Sequence, residues 1–443
     1  MPPKYSVGIL TLGCKVNQYE SEALAERLAG LGAEVLAPSR VCDGYLVNTC
    51  TVTAEADRKS RQMIRRLHQL NPAAPIVVTG CTAQTSPEEL SAIDGVVAVV
   101  GNAAKLTCAE ILMEAMKNGV PDAPRVSVPE LAVAPFEPMC LGSFPRTRVY
   151  IKIEDGCENK CAYCAIPGAR GPVRSKAPDD VIAEVRGFID AGVREIVLTG
   201  IETASYGKDL KDVTLADLLR QTDAVCGDCR IRLGSVDPSL FRQSFVDGIK
   251  DLRSVAPHFH ISLQSGSSKT LARMRRKYNA DGARAAMERI RAAIPGVQFT
   301  TDVIVGFPGE TDEDFSETKQ FLIDERFLTV HIFPYSRRRG TPADTMKDQV
   351  PEEVKHARAA ELAALEAGIR REILDGIVSA GGTYPVLFET YADGIAAGHT
   401  PSFLEVAVAA DRDLHGITRN VRIISHDGSV CRGVIVEDRK AGY

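Results

Sequence analysis

The stretch Glu154-Asp-Gly-Cys157-Glu-Asn-Lys-Cys161-Ala-Tyr-Cys164 sets three cysteines in a C-x3-C-x2-C spacing. A four-iron cluster used only for electron transfer takes four thiolates, so three in one short loop leave one iron open to a small molecule. The competing reading is a zinc site completed by a remote histidine. Zinc sites favour paired C-x2-4-C elements, and cysteines elsewhere in the chain fit a cluster better. The segment therefore predicts an iron–sulfur centre with one open coordination position.

In known chemistry with this spacing, the open iron chelates S-adenosylmethionine through its amino and carboxylate groups, and reductive cleavage yields a carbon radical. Length allows a large scaffold around such a centre: 443 residues at 44% hydrophobic content suffice for two or three domains. Lys plus Arg is 53 against 58 for Asp plus Glu, a net charge of −5 that excludes a globally basic nucleic-acid coat but permits local basic patches. The N-terminus carries no apolar run of signal-peptide length, and no stretch of about 18 apolar residues occurs. A soluble cytoplasmic protein without membrane contact is expected. Its 12 cysteines then point to metal or redox chemistry rather than disulfides.

A second cysteine pattern lies upstream. Three short apolar runs each end in a cysteine: Val7 to Cys14, Tyr45 to Cys50 and Ile76 to Cys81. Each reads as a buried parallel strand, and segments with helical periodicity, Ser21 to Leu31 and Ala54 to Leu70, lie between them. Alternating strands and helices build a parallel α/β sheet whose strand-end loops cluster on one edge. Cys14, Cys50 and Cys81 should therefore meet in space and hold a second cluster with an open iron. Any one of them alone would pass for a small buried hydrophobe.

These motifs resemble those of the methylthiotransferases of the radical S-adenosylmethionine superfamily, over nearly the whole length. The resemblance rests on Thr11-Leu-Gly-Cys-Lys-Val-Asn-Gln-Tyr-Glu-Ser21, Asn48-Thr-Cys50, Gly80-Cys81, the Cys157 triad and Thr301-Asp-Val-Ile-Val-Gly-Phe-Pro-Gly-Glu-Thr311. The wording Gly-Cys-Lys-Val-Asn-Gln and Phe333-Pro-Tyr-Ser-Arg-Arg-Arg-Gly-Thr-Pro342 is most similar to the branch that methylthiolates N6-threonylcarbamoyladenosine at position 37 of tRNA, beside the anticodon. Sister branches act on isopentenyladenosine in tRNA or on a ribosomal-protein aspartate. The resemblance implies two 4Fe–4S clusters with S-adenosylmethionine as cofactor. It also implies a two-stage cycle: one S-adenosylmethionine methylates sulfur held at the Cys14/Cys50/Cys81 cluster, and a second is cleaved so that its radical activates C2 of the adenosine. Implied partners are the tRNA anticodon stem-loop, a reducing electron donor such as flavodoxin or ferredoxin, and a sulfur donor, with the protein acting as a monomer. A non-catalytic electron carrier or RNA-binding regulator would keep the cysteines but explains neither three-ligand set.

The expected fold class is α/β: an N-terminal parallel α/β sandwich (1–140), a partial (β/α)6 barrel (141–350), a connecting helix (351–380) and a small OB-like β-barrel of the TRAM type (381–443). Barrel strands recur at Val149–Ile153, Glu195–Leu198, Arg230–Leu233, His260–Leu263, Gln298–Val305 and Thr329–Phe333. Functional groups in such barrels sit at the carboxyl ends of the strands. Gly200 and Glu202 occupy the place of the superfamily's Gly-Gly-Glu stretch, where a carbonyl and a carboxylate meet the ammonium of S-adenosylmethionine. Ser235 and Gln264, with Asp237, Ser265 and Asp302, resemble positions lining the nucleoside and substrate pocket, although such groups also cap helices. Arg170 and Arg174 follow the cysteine loop and suit a cofactor carboxylate, a tRNA phosphate or a surface ion pair. Cys226 and Cys229 form a C-x2-C with no matching pair and read as incidental. The tail beyond Tyr384 carries eight acidic and six basic residues, so RNA contact would lean on basic stretches elsewhere: Arg58 to Arg66, Arg273 to Lys277 and Arg337 to Arg339. Each of these stretches alone reads as a solvated face or turn.

Overall fold

A computed structural model describes residues 5–142 and 147–436. Its first six strands are β1 (Tyr5–Thr11), β2 (Ala33–Leu36), β3 (Gly44–Thr49), β4 (Ile76–Gly80), β5 (Val96–Val100) and β6 (Arg125–Ser127). They form one sheet in the order β2-β1-β3-β4-β5-β6, and every pairing is parallel. The connecting helices are α1 (Lys15–Gly30), α2 (Ala54–Leu70), α3 (Cys81–Thr85), α4 (Pro87–Ser91) and α5 (Thr107–Asn118). On one face of the sheet, Leu24 and Leu28 of α1 and Leu112 of α5 pack on Val7, Leu46 and Val77. On the other, Ile64 and Leu67 of α2 and Leu90 of α4 pack on Tyr45, Val47 and Val78. Covered on both sides, β3, β4 and β5 are buried along their whole lengths, hence their unbroken apolar or neutral sequence.

The middle of the chain begins with β7 (Arg148–Lys152). A two-residue antiparallel clasp follows, β8 (Glu154–Asp155) on β9 (Arg174–Ser175). That clasp brackets the cysteine loop and the short helix α6 (Ile166–Arg170). Helices α7 (Pro178–Asp190), α8 (Leu215–Cys226), α9 (Gln243–Ile249), α10 (Ser268–Arg273), α11 (Ala280–Ala293) and α12 (Asp312–Glu325) then alternate with β10 (Glu195–Thr199), β11 (Arg230–Leu233), β12 (His258–Gln264), β13 (Gln298–Val305) and β14 (Thr329–Pro334). Two parallel sheets, β11-β10-β7 and β12-β13-β14, are joined by bridges between Ile231 and Val255 and between Val236 and Ile261. The result is an open six-stranded barrel. Ile151, Leu198, Leu233, Ile261 and Val303 point outward into a core shared with the helices. The residues between them, among them Arg148, Tyr150, Arg232, His260 and Asp302, face the concave side because side chains alternate along a strand.

The long helix α13 (Glu352–Ala380) packs Leu362 and Ile369 onto this core. It leads into a closed barrel of β15 (Thr383–Ala392), β16 (Ile395–His399), β17 (Glu405–Ala409), β18 (Thr418–His426) and β19 (Cys431–Ile435). This small barrel docks at the N-terminal ends of the large barrel's strands. Arg148 pairs with Glu389, and Arg232 donates to the Pro401 carbonyl at 3.2 Å. Phe403, held at a positive φ of 72°, stacks against His258 and His399 with ring centroids 4.6 and 4.8 Å away. The guanidinium groups of Arg232 and Arg148 lie 4.8 and 5.2 Å from its ring centre. Phe403 therefore closes the floor of the large barrel, leaving the carboxyl ends of the strands as the open mouth.

Candidate active site

Cys14, Cys50 and Cys81 come together at the carboxyl edge of the first sheet. Cys50 directly follows β3, Cys81 follows β4, and Cys14 precedes α1 just beyond β1. Because β1, β3 and β4 are neighbours, the three loops converge. Gly13, at φ 103°, admits the Cys50 sulfur so closely that any side chain there would collide with it. Asn17 fastens the loops: its Nδ2 donates to the Leu12 carbonyl at 2.7 Å and to the Thr49 carbonyl at 2.9 Å. Thr82 Oγ1 lies 2.9 Å from both the Cys50 carbonyl and the Asp57 carboxylate, and Arg338 joins Asp57 and Thr51 at 2.5 Å each.

Behind this triad lies a buried ionic network. Arg170 donates from Nε to Cys81 Sγ at 3.3 Å, and its other nitrogens reach Asn17 Oδ1 at 2.5 Å and Glu20 Oε1 at 2.6 Å. Lys105 and Lys152 also pair with Glu20, while Lys152, Arg170 and Arg174 surround Asp155. Burial alone would raise both carboxyls. The surrounding cations, Arg170, Lys105 and Lys152 for Glu20 and Lys152 and Arg170 for Asp155, outweigh it and hold both below their ordinary values. Four cationic side chains thus meet two carboxylates beside the sulfurs. Such a buried excess of positive charge is costly unless an anion accompanies it.

In the second triad each sulfur receives an N–H. Asn159 N donates to Cys157 Sγ and Ile166 N to Cys164 Sγ, both at 3.4 Å, and Arg276 donates to Cys161 Sγ at 3.2 Å. Arg276 is anchored by Asp237 at 2.7 Å and the Ser262 carbonyl at 3.0 Å. Burial pushes the Cys157 thiol up to about 12 and those of Cys164 and Cys50 to about 11, so without metal these groups are protonated at neutral pH. Metal ligation would release those protons. The two triads are physically linked, since Cys164 and Arg170 belong to one short segment and Arg170 ends on Cys81. A cleft of about 910 Å³ lined by Cys157, Cys161 and Cys164 is also bounded by Gln84 and Leu131 from the first unit.

Glu202 lies beside the second triad. Its Oε2 accepts from Asn159 Nδ2 at 3.3 Å, while Oε1 is buried with no hydrogen-bond partner among the described residues. Burial, then Asp237, push its carboxyl up to about 7. Gly200 is required here, because a side chain at that position would strike Glu154 Oε2, which accepts from the Glu202 backbone N–H at 2.8 Å. Ser235 is exposed just past β11, and Gln264 ends β12 at a positive φ of 71°, so both reach the barrel mouth. Ser265 is buried against Thr318 and the Ser267 N–H, a structural role. Asp302 pairs with His260 at 3.1 Å. Arg174 donates to the Arg170 carbonyl at 2.7 Å and lies in the ionic network.

Arg170 requires a correction. It is fully buried with its donors taken up by Cys81, Asn17, Glu20 and Asp155, so it meets no external phosphate or surface acid. Arg276 and Arg338 likewise leave the solvated stretches to which their sequence neighbours assigned them: Arg338 is buried and Arg276 partly buried, each beside a cysteine loop. Sequence reasoning missed Glu154, Asp155, Asn159 and Glu20 altogether. The local signals were position alone: Glu154, Asp155 and Asn159 stand inside the Cys157 segment and Glu20 in the Thr11–Ser21 stretch.

Residues 151–322 match the family model described as Radical SAM superfamily, and residues 6–101 match one described as Uncharacterized protein family UPF0004. Threonylcarbamoyladenosine tRNA methylthiotransferase MtaB of Bacillus subtilis is 39% identical over 453 residues, covering 98% of this chain and 97% of that protein. The chain belongs to the radical S-adenosylmethionine tRNA methylthiotransferase family. The Thermotoga maritima protein of the same MtaB name is 38% identical, with 98% of each chain covered. A tRNA-2-methylthio-N(6)-dimethylallyladenosine synthase of Acetivibrio thermocellus is 35% identical, covering 95% of this chain and 90% of that protein. Among solved structures, the radical S-adenosylmethionine methyltransferase TsrM of Kitasatospora setae aligns with a TM-score of 0.57 at 16% identity. It covers 90% of this chain and 77% of that one, a likeness of fold. As a family member this methylthiotransferase is an enzyme that uses S-adenosylmethionine and 4Fe–4S clusters.

Proposed function

We propose that the enzyme converts N6-threonylcarbamoyladenosine at position 37 of tRNA to its 2-methylthio derivative. Cys157, Cys161 and Cys164 would hold one 4Fe–4S cluster, and Cys14, Cys50 and Cys81 a second. The observation that carries this reading is the pairing of two three-cysteine sets across one segment, the Cys14/Cys50/Cys81 set backed by excess buried positive charge and the Cys157/Cys161/Cys164 set by an N–H on every sulfur. Cluster thiolates are stabilised by both features. When loaded, the clusters and S-adenosylmethionine supply the radical and the sulfur.

The chain's own residues position and shield. Glu202 offers its unbonded oxygen to the cofactor's amino group, with Gly200 giving close passage. Ser235 and Gln264 line the mouth where cofactor and nucleoside would meet, and Arg174 steadies the network between the clusters. Arg276 and Arg170 fix one sulfur of each triad. The N-terminal unit roofs the mouth, which keeps water from a radical. The small C-terminal barrel, of the TRAM type, would help to grip the anticodon stem-loop, and a flavodoxin- or ferredoxin-like donor would supply electrons. No helix among the described residues is long and apolar enough to cross a membrane; the cytoplasm, where tRNA is modified, is the proposed location.

The substrate is favoured over isopentenyladenosine by the match to MtaB proteins at up to 39% identity. Mass spectrometry of tRNA nucleosides from cells with and without the gene tests it. Loss of the 2-methylthio threonylcarbamoyl nucleoside alone is expected; loss of the isopentenyl form instead would reassign the substrate.

A further inference from the structure

Lys15 follows Cys14 directly and opens helix α1, which packs against β7. This orientation sends the Lys15 side chain into the concave side of the large barrel, where Nζ stands 6.0 Å from the ring centre of Tyr150. The basic groups already there are spoken for. Arg148 pairs with Glu195 at 2.9 Å and also with Glu389, and Arg232 pairs with Glu195 at 3.0 Å. The acid Asp302 is paired with His260. Lys15 is exposed and forms no hydrogen bond or ion pair with any described residue. An anion in front of Nζ would give this ammonium the partner that Arg148 and Arg232 already have.

We propose that Lys15 binds the carboxylate carried by the N6 substituent of the substrate adenosine, and so selects an acidic substituent over an apolar one. This rests on the reading of threonylcarbamoyladenosine as substrate. The geometry is economical: one turn of chain presents both Cys14, a proposed ligand of the sulfur-bearing cluster, and the cation. A base whose C2 faces the cluster therefore carries its N6 arm toward a charge fixed to the same loop. An isopentenyl arm would leave Lys15 desolvated and unpaired, a difference of the kind that gives strong discrimination. The flexible stem and compact ammonium of lysine suit one carboxylate approaching end-on.

The test uses cluster-loaded full-length enzyme and two synthetic anticodon stem-loop RNAs, one with the threonylcarbamoyl acid and one with its uncharged carboxamide. Wild type is expected to prefer the acid. Lys15→Gln should raise KM for the acid about ten- to hundredfold, the scale of one charge-assisted hydrogen bond, while leaving KM for the carboxamide within about twofold; Lys15→Arg should recover much of the preference. Iron content of each variant controls for damage at Cys14. Equal loss on both RNAs in a fully loaded Lys15→Gln protein, or no loss on either, overturns the assignment. Wild-type failure to methylthiolate the acid RNA would instead overturn the substrate reading and, with it, this inference.

Discussion

Glu202 makes a quantitative prediction about pH. Its carboxyl, pushed to about 7 by burial and Asp237 from an ordinary value of 4.5, is neutral over much of the range where surface acids are ionised. A folded-state value above the unfolded one means that protonated Glu202 stabilises the fold. That contribution is complete below about 4.5 and is lost as pH rises through 7, costing about 3 kcal/mol for a shift of this size. Cationic ligand binding runs the other way, because only the ionised carboxylate attracts an amino group. Loss of the Glu202 charge should therefore weaken S-adenosylmethionine binding to cluster-loaded wild-type protein about tenfold at pH 6 relative to the limit approached well above pH 7. Glu202→Gln removes this titrating group and should bind more weakly than wild type above pH 7. Chelation releases the ligand's ammonium proton equally in both proteins, so isothermal titration calorimetry between pH 5.5 and 7.5 reads the Glu202 contribution as the difference between the two curves. Parallel curves would refute the placement of Glu202 at the cofactor.

Two further perturbations follow from contacts. Arg170→Met leaves Glu20, Asp155 and Cys81 short of a buried partner; a cost of about 3–5 kcal/mol is expected. Lower iron content after reconstitution and a lower denaturation midpoint would register it, while an unchanged iron count and midpoint would show that the network does not support the first triad. Phe403→Ala removes the ring sandwiched by His258, His399 and two guanidinium groups; a loss of about 2 kcal/mol in docking is expected. Limited proteolysis near Gly381-Gly382 should accelerate, and unaltered cleavage would mean that the small barrel is held elsewhere.

Much of this architecture is written locally in the chain. Helix α2 spans Ala54–Leu70 and β13 spans Gln298–Val305, the ranges that periodicity predicts, and the three upstream cysteines follow their strands because apolar runs and their ends are local signals. Strand β16 carries no such signal, because Ile395-Ala-Ala-Gly-His399 has small residues where a strand usually shows bulk; it is recruited by pairing with β15 and β17. The site was harder to read for a different reason. Arg170, Arg276 and Arg338 look like surface residues among basic neighbours, and only their partners at Glu20, Asp237 and Asp57, distant in sequence, take them inside. Glu202 was singled out by its motif position alone. Its unbonded oxygen and raised carboxyl depend on burial that no local pattern reports.

The central claim is a division of labour between two cysteine triads, and one assay addresses it. Anaerobically reconstituted enzyme, reductant, S-adenosylmethionine and threonylcarbamoyladenosine-containing tRNA are incubated, and 5′-deoxyadenosine and the 2-methylthio nucleoside are quantified together. Wild type should form both, Cys161→Ala neither, and Cys50→Ala 5′-deoxyadenosine without the methylthio product. Methylthio product from Cys50→Ala, or 5′-deoxyadenosine from Cys161→Ala, would contradict the account.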